Sequence, residues 1–291
     1  MSGIKFNQKS GSKKAKKSEN SNLKNNKSLG QHWLRDREIL DTIAFSAEIK
    51  DGDFVLEIGP GLGTLTSSLL KFAGKNGRVL SIEFDENLAK KLPAQFPGKN
   101  LEIINADFLD FDLLKLPKNY KVAANVPYYI TSKIVEKLLT SENKPSVAAL
   151  LVQKEVAERM AAKAGELSIL AIASQIYAEV SLDILVPREF FTPPPKVDSQ
   201  VVVLKSREHN LIKIFNSKNN CEVSEREFFR IVKAGFAAKR KKIAKSLSAN
   251  LAISKERTAE ILEKCEISPD LRAQDLEIKE WLKIAKIFYS K

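Results

Sequence analysis

The four residues at 125–128 have the types of a site that could activate an aromatic amine. The exocyclic amine of adenine is a poor nucleophile because its lone pair is delocalised into the ring. The side-chain oxygen of Asn125 and the main-chain carbonyl of Val126 could accept hydrogen bonds from both of its N–H groups and draw the nitrogen toward sp³ geometry. Pro127 would fix the turn, and Tyr128 would offer a ring on which a base can stack. Alone, such a sequence is equally typical of an ordinary turn after a strand.

Three glycines, Gly59, Gly61 and Gly63, follow an apolar run and precede a helical pattern. Glycines in such a turn let a ligand approach the main chain closely, and the first turn of the helix offers free N–H groups. The spacing is G-x-G-x-G rather than the G-x-G-x-x-G of dinucleotide sites, and no Lys-Ser/Thr pair follows, which excludes a phosphate-binding P-loop. The glycines alone would also suit a structural tight turn.

Two acidic residues follow the next two apolar runs. Glu83 could accept hydrogen bonds from both hydroxyls of a ribose, and Asp107 could accept one from the exocyclic amine of an adenine. Either residue alone would usually be a surface carboxylate. Together with the glycine turn they predict a site for a nucleoside without phosphates. S-adenosyl-L-methionine, in which an adenosine carries an amino acid tail, fits this description.

Few residues are available for other chemistry. The chain has two histidines, His32 and His209, and two cysteines, Cys221 and Cys265, which are far apart in the sequence. We therefore expect neither a metal site nor a disulfide, and a reducing compartment. Transfer of a methyl group from a sulfonium needs no histidine base, because the proton can leave the amine afterwards.

Short apolar runs alternate with helical patterns from about residue 29 to residue 206. This alternation predicts an α/β fold with a mainly parallel sheet. We predict strands at 54–58, 78–83, 101–105, 121–125, 147–153, 178–186 and 201–204, the last two forming an antiparallel edge, and helices at 64–73, 131–140, 224–247, 255–264 and 278–289. The predicted domains are a disordered basic tail at 1–28, an α/β domain at 29–206 and a small all-α domain at 207–291.

The positive charge is concentrated in two places. The chain of 291 residues has a net charge of +12, which favours a polyanionic partner. Residues 1–28 contain eight lysines and one glutamate and too little apolar surface to fold, so they would be a nucleic-acid-binding arm or a solubilising extension. Residues 226–245 form a second group, which we call the basic cluster. We expect it to contact phosphates through Lys239, Arg240, Lys241 and Lys242, although such a run can also be a solvated helix face.

Composition also limits where the protein acts. No run approaches the ~18 apolar residues that a membrane-spanning helix requires. No apolar segment follows the basic N-terminus as in a secretory signal, and residues 1–28 lack the arginines of a mitochondrial transit segment. We expect a cytoplasmic protein that does not bind membranes.

Taken together, these motifs resemble the KsgA/RsmA family of ribosomal RNA small-subunit adenine N6,N6-dimethyltransferases. The resemblance extends from about residue 28 to residue 285. It rests on SLGQHWL at 28–34, EIGPGLGTLT at 57–66, Glu83, Asp107, NVPY at 125–128, QKEVAERM at 153–160, FTPPPKVDS at 191–199 and FAAKRKKIAKSL at 236–247. The last two segments distinguish this family from the related 23S rRNA adenine methyltransferases that confer macrolide resistance.

The resemblance implies a Rossmann-like class I S-adenosylmethionine-dependent methyltransferase domain at 29–206 and a helical RNA-recognition domain at 207–291. It implies S-adenosyl-L-methionine as cofactor and, as substrate, two adjacent adenosines in the hairpin near the 3′ end of 16S rRNA, presented by the small ribosomal subunit or its assembly intermediate. We expect the enzyme to be a monomer. Residues 125–128 would hold the target adenine, with Phe191 stacked on its other face. The residues that would contact the cofactor are His32, Leu34, Gly59, Gly61, Gly63, Glu83, Asp107 and Asn125.

The chain departs from the pattern of this family at three places. Most members have Gln-Asn-Phe where this chain has Gln31, His32 and Trp33, and Asn-Leu-Pro-Tyr is commoner than NVPY. An imidazole at 32 can still donate and accept a hydrogen bond, but with a different geometry. Val126 would act through its main chain. The Lys-rich tail is longer than is usual in the family, and its role is open.

Three other functions stay as alternatives. The chain could be an assembly or transcription factor that has kept the fold and lost catalysis, a 23S rRNA methyltransferase, or a small-molecule methyltransferase. The FTPPPKVDS segment argues against a 23S enzyme. The basic cluster argues against a small-molecule enzyme, which would not need it.

Overall fold

The computed structural model describes residues 32–238 and 240–290, so the tail at 1–28 and Lys239 lie outside the described residues. The strands are β1 (Trp33–Leu34), β2 (Phe54–Ile58), β3 (Arg78–Glu83), β4 (Leu101–Asn105), β5 (Lys121–Asn125), β6 (Val147–Gln153), β7 (Ala178–Val186), β8 (Phe191–Thr192) and β9 (Ser199–Ser206). The helices are α1 (Arg37–Ser46), α2 (Thr64–Ala73), α3 (Glu86–Lys91), α4 (Thr131–Thr140), α5 (Lys154–Ala161), α6 (Ile169–Tyr177), α7 (Leu211–Asn219), α8 (Glu225–Phe236), α9 (Ile243–Leu251), α10 (Lys255–Lys264) and α11 (Ile278–Tyr289).

One sheet has the order β4-β3-β2-β5-β6-β9-β7. Its first five strands are parallel, and β9 is antiparallel to both β6 and β7, which confirms the Rossmann-like α/β fold and the antiparallel edge. From β2 the chain adds β3 and then β4 on one side of the sheet. From β5 it adds β6 on the opposite side, so the strand order reverses between β2 and β5. In sheets of this type, ligands bind beyond the carboxyl ends of the strands at the point where the order reverses.

Both faces of the sheet are covered, because successive residues of a strand point to opposite sides. In β2, Val55 belongs to a buried cluster with Ile43 of α1 and Leu69 of α2. The next residue, Leu56, belongs to a second cluster with Ile134 of α4 and Ile172 of α6. These two layers of helices leave the ends of the strands free to form a site.

Two short strands tie distant parts of the chain together. β1 pairs antiparallel with β8, so that Trp33 lies opposite Thr192 and Leu34 lies opposite Phe191. Leu34 and Phe191 are both buried in the same cluster as the apolar residues of α1. The pairing brings the residues before α1 to the Pro-rich segment that precedes β9.

The helical part differs from the prediction at two places. The predicted helix at 224–247 is wrong as a single helix, because α8 ends at Phe236 and α9 begins at Ile243. The intervening chain is held by a contact that the sequence does not reveal: the N–H of Ile243 donates to the carbonyl of Leu271, and Lys242 forms a β-bridge with Arg272. The sequence analysis did not predict α7, whereas α10 and α11 confirm the predictions at 255–264 and 278–289.

The described residues after β9 contain helices and turns but no strand. Their core is continuous with that of the sheet, because Ile176 of α6 and Phe228 of α8 belong to one buried cluster. The domain boundary near residue 206 stays a prediction. Within the described ranges, no helix is long and apolar enough to cross a membrane.

Candidate active site

A cavity opens where β2, β3, β4 and β5 end. Ten of the residues predicted for the cofactor and the target base line it: His32, Leu34, Gly59, Gly61, Glu83, Asp107, Asn125, Val126, Pro127 and Tyr128. They come from segments that are up to 96 residues apart in the chain. Parallel strands bring them together because the carboxyl ends of such strands meet at one edge of the sheet.

The amide of Asn125 is oriented by the main chain of a distant segment. Its Nδ2 donates a hydrogen bond of 3.1 Å to the carbonyl oxygen of His32. The assignment of the two amide atoms follows this hydrogen bond, because a carbonyl can only accept. The Oδ1 atom is therefore the amide's remaining acceptor, as required for a group that holds an N–H of a nucleobase.

The ring of Tyr128 is fixed at its outer end. Its hydroxyl lies 2.7 Å from Oγ of Ser199, at the start of β9. Burial raises the pKa of this phenol, and the hydrogen bond with Ser199 opposes the shift. The phenol is therefore neutral near pH 7, which suits a ring that stacks on a base rather than one that removes a proton.

The imidazole of His32 lies beside this ring. The two ring centroids are 5.8 Å apart with an angle of 21° between the planes. His32 Nδ1 is 2.8 Å from the carbonyl oxygen of Pro193. Since that carbonyl can only accept, Nδ1 carries the hydrogen and Nε2 is the ring nitrogen left to accept.

Glu83 is held at the end of β3 by two main-chain N–H groups. Oε2 accepts from Gly61 at 2.9 Å, and Oε1 accepts from Asp85 at 2.8 Å. Burial raises the pKa of this carboxyl, and the hydrogen bonds from Asp85 and Gly61 oppose the shift. Each oxygen keeps a further lone pair, so the carboxylate can still accept from a pair of hydroxyl groups.

Asp107 is oriented in a similar way after β4. Its Oδ1 accepts from the N–H of Leu109 at 2.8 Å. Among the described residues, no donor occupies its Oδ2. One carboxylate oxygen is therefore available in the cavity to an amine.

Glu57 supports the glycine turn from below the cavity. It is buried, and its Oε2 accepts from the hydroxyls of Thr66 and Ser81 at 2.8 and 2.7 Å. These contacts link β2 to α2 and β3, the elements on both sides of the turn. Burial raises the pKa of Glu57 to about 7, against the effect of the hydrogen bonds from Ser81 and Thr66.

Two predicted site residues are not in the cavity lining. Gly63 has a positive φ of 78° and precedes α2, and a Cβ atom there would lie 2.5 Å from Cδ1 of Leu92. It shapes the turn instead of facing the cavity. Phe191 is 2 % exposed and packs in the buried cluster with Leu34. Its ring is therefore not a stacking surface in this structure, because the pairing of β1 with β8 turns it into the core.

The sequence analysis missed several aromatic residues that line the cavity, namely Trp33, Phe84, Phe108 and Tyr129. Phe84 follows Glu83 directly, and Phe108 follows Asp107 directly. Phe84 and Phe108 could therefore have been predicted from their positions beside the two carboxylates assigned to the cofactor. Trp33 lies close to the glycine turn, since a Cβ atom on Gly61 would be 3.6 Å from its Nε1.

The basic cluster lies away from this cavity, on and between α8 and α9. Arg226, Phe229, Arg230 and Lys233 line an open groove together with Asn250 of α9. Arg240, Lys241 and Lys242 are exposed in the turn between the two helices, and Lys242 pairs with Asp270 at 2.6 Å. The residues predicted to contact phosphates therefore do not continue α8, and Arg240 and Lys241 lie in an exposed turn.

The cavity fits S-adenosyl-L-methionine on its polar groups. Glu83 offers acceptors for ribose hydroxyls, and Asp107 offers one for an adenine amine. A Cβ atom at Gly59 would meet no protein atom within 4 Å, so open space lies above the main chain of the turn. In the described part of the chain, no group of three or more His, Cys, Asp and Glu residues could hold a metal ion.

Comparison with known proteins identifies the family. Residues 22–290 match the family model described as ribosomal RNA adenine dimethylase. The chain is 39% identical over 270 residues to ribosomal RNA small subunit methyltransferase A of Fusobacterium nucleatum, covering 91% of this chain and 98% of the relative. It is 36% identical over 270 residues to the protein of the same name from Dehalococcoides mccartyi, covering 91% of this chain and 89% of the relative.

Two solved structures share the fold over most of their length. The 23S rRNA methyltransferase ErmE matches with a TM-score of 0.69 and 28% identity, covering 88% of this chain and 98% of that one. A dimethyladenosine transferase from Plasmodium falciparum matches with a TM-score of 0.70 and 28% identity, covering 87% of this chain and 96% of that one. The chain therefore belongs to the ribosomal RNA adenine dimethylase family of S-adenosylmethionine-dependent methyltransferases.

Proposed function

We propose that this enzyme dimethylates the N6 amines of two adjacent adenosines in the 3′-terminal hairpin of 16S rRNA, during biogenesis of the small ribosomal subunit. The proposal is supported most by the orientation of Asn125, whose Nδ2 donates to His32 and whose Oδ1 is left to accept from an amine. The names of the relatives from Fusobacterium nucleatum and Dehalococcoides mccartyi support the small subunit as the source of the RNA.

In this proposal the residues at 125–128 prepare the target nitrogen. Asn125 Oδ1 and the carbonyl oxygen of Val126 accept its two N–H groups, and the ring of Tyr128 stacks on the base. Pro127 holds the turn with φ near −58°. Held in this way, the nitrogen lone pair is directed away from the ring system and toward the cofactor.

Glu83 and Asp107 hold the cofactor at the other side of the cavity, with His32, Leu34 and the glycine turn around it. S-adenosyl-L-methionine, when bound, would supply a methyl group on a sulfonium. The carboxylates of Glu83 and Asp107 place negative rather than positive charge on this side of the cavity, which suits a cationic cofactor. The released proton needs no dedicated base, since the cation formed when the amine gains a methyl group is acidic and loses its proton readily.

The RNA is held outside the cavity in this proposal. The groove on α8 and α9 and the exposed turn at 240–242 carry positive charge that suits phosphates. The enzyme would act as a monomer in the cytoplasm, on an assembled particle whose shape contributes to recognition.

The test is methyl transfer to purified RNA particles. Incubation of the protein with labelled S-adenosyl-L-methionine and small subunits that lack the modification should yield label in N6,N6-dimethyladenosine. Large subunits serve as the control, because the fold is shared with a 23S rRNA methyltransferase. Label in 23S rRNA only, or none in either particle, would contradict the proposal.

A further inference from the structure

Tyr129 is an exposed aromatic residue at the mouth of the cavity. It is 65% exposed, yet it lines the same cavity as Asn125 and Tyr128. Among the described residues, no ring stacks on it, no cation lies over it and no side chain bonds to its hydroxyl. Its neighbour Tyr128 is held inside by Ser199, so two consecutive tyrosines occupy the inner and the outer part of one site.

The main chain that carries Tyr129 is well held. Residues Tyr128–Ile130 form a short 3₁₀ turn, in which the N–H of Ile130 donates to the carbonyl of Pro127 at 3.2 Å. The hydroxyl of Thr131, the first residue of α4, donates to the carbonyl of Tyr128 at 3.2 Å. The exposed ring is thus mounted on an ordered turn, and less freedom is lost when a ligand stacks on it.

Phe84 is the other strongly exposed aromatic residue of the cavity, but it belongs to the cofactor side. It lies between Glu83 and Asp85, whose N–H group binds the Glu83 carboxylate. Tyr129 belongs to the segment that presents Asn125 and Tyr128. The two rings therefore serve different ligands.

We propose that Tyr129 is a binding site for a second nucleobase, the one adjacent to the target adenosine in the RNA. The inference rests on the proposed function and deepens it. When one base enters the cavity and stacks on Tyr128, the next base stays outside. The RNA backbone links the two bases and therefore keeps the second one close to the mouth of the cavity. A flat ring with one polar end, exposed at the mouth, offers that base a stacking surface.

A purine neighbour gains more from this contact than a pyrimidine, because its ring system covers more of the tyrosine. The two adjacent adenosines of the proposed substrate fit this arrangement, since each has an adenine next to it. Tyr129 would thus favour adenosines that have a purine neighbour.

The experiment measures coupling between this ring and the neighbouring base. The proteins are wild type, Tyr129→Ala, Tyr129→Phe and Phe45→Ala; Phe45 is 72% exposed and does not line the cavity. The substrates are small-subunit particles with both adenosines, and particles in which one of them is replaced by uridine. The readout is kcat/KM for the first methyl transfer, with calorimetric affinity for S-adenosyl-L-methionine as a second measurement.

With both adenosines present, Tyr129→Ala should lower kcat/KM about 5- to 100-fold, the range expected for one base stack. Tyr129→Phe and Phe45→Ala should stay within about twofold of wild type, since a single stacked ring survives in the first and the site is untouched in the second. The uridine substitution should lower the activity of wild type more than that of Tyr129→Ala.

Equal effects of uridine on wild type and Tyr129→Ala would overturn the inference. So would a weaker affinity of Tyr129→Ala for S-adenosyl-L-methionine, which would place the ring on the cofactor. If wild type modified neither particle, the proposed function would fail, and the inference with it. If wild type methylated the particles but uridine affected wild type and Tyr129→Ala equally, the inference about Tyr129 would fail and the proposed function would stand.

Discussion

At the scale of single residues, the site depends on two carboxylates that accept from main-chain N–H groups, the buried Glu83 and the half-buried Asp107. Glu83 is the clearest case, because it links the end of β3 to Gly61 of the glycine turn. Its position was predictable from the sequence, since it ends an apolar strand. Its bonds to Gly61 and Asp85 were not, because they depend on how β3 approaches the turn.

Replacing Glu83 should weaken cofactor binding. Glu83→Ala removes the acceptors for two hydroxyl groups, and we expect the dissociation constant for S-adenosyl-L-methionine to rise about 10- to 100-fold, since a hydrogen bond to a charged group contributes about 1.5–3 kcal/mol. Isothermal titration calorimetry measures the change. Glu86→Ala, at an exposed acid of α3 that does not line the cavity, is the matched control and should bind as wild type. Equal affinity of Glu83→Ala and wild type would remove Glu83 from the cofactor site.

Glu57 should make stability depend on pH. Its pKa of about 7 in the folded chain lies above the ordinary value of 4.5, so its protonated form is favoured by folding. This contribution is fully present below pH 4.5 and is lost as the pH rises through about 7. It amounts to about 3 kcal/mol in the free energy of unfolding.

Glu57→Gln cannot titrate and is the test of that statement. Denaturant unfolding between pH 4.5 and pH 8.5 should show wild type losing stability relative to the variant by about 3 kcal/mol, with most of the change below pH 7. Glu86→Gln serves as the exposed control. A constant difference between wild type and Glu57→Gln over this range would show that Glu57 does not titrate there.

At the scale of elements, the sheet follows closely from the sequence. The apolar runs at 54–58, 78–83, 101–105, 121–125 and 147–153 match β2 to β6. Most residues of β2, β3, β5 and β6 are buried, whereas β4 is an edge strand whose apolar residues are half-buried. The ends of parallel strands share one edge, so Glu83, Asp107 and Asn125 could be assigned to one site from the sequence alone.

Pairings between distant elements were not predictable in the same way. The pairing of β1 with β8 joins residues separated by more than 150 positions, and it places His32 against Pro193 while burying Phe191. The break between α8 and α9 depends on the hydrogen bond from Ile243 to Leu271. Neither the β1–β8 pairing nor the contact between Ile243 and Leu271 can be predicted from the local pattern of apolar residues.

The turn between α8 and α9 should contribute to RNA affinity through charge. Replacing Lys239, Arg240 and Lys241 by Gln should weaken binding to small subunits. It should also reduce the slope of log affinity against log salt by about 0.7–0.9 for each phosphate that the variant no longer neutralises. Lys242 is kept, because it pairs with Asp270 and precedes α9. Filter binding at several salt concentrations measures the slope.

A matched triple variant, Lys75, Lys99 and Lys118 to Gln, removes the same charge from exposed positions that do not line the groove on α8 and α9. Its salt slope should stay close to that of wild type. If both triple variants lowered the slope equally, the effect would follow from net charge alone, and the turn would have no particular part in RNA binding.

At the scale of the whole molecule, chemistry and charge are separated. The cavity is built from the ends of β2 to β5 and contains carboxylates, an amide and aromatic rings. Among the described residues, a concentration of positive charge lies on and between α8 and α9, apart from that cavity. The net charge of +12 therefore indicates a polyanionic partner but says little about the reaction.

The central claim is that Asn125 holds an adenine amine for methylation within this cavity. The most direct test is single-turnover methyl transfer to unmodified small subunits by wild type and Asn125→Ala, together with the affinity of each for S-adenosyl-L-methionine. We expect Asn125→Ala to lower the rate by about 100-fold or more, the loss typical of a polar group that acts in the transition state, while it keeps part of its cofactor affinity. A variant that transfers methyl groups at the wild-type rate would contradict this role of Asn125.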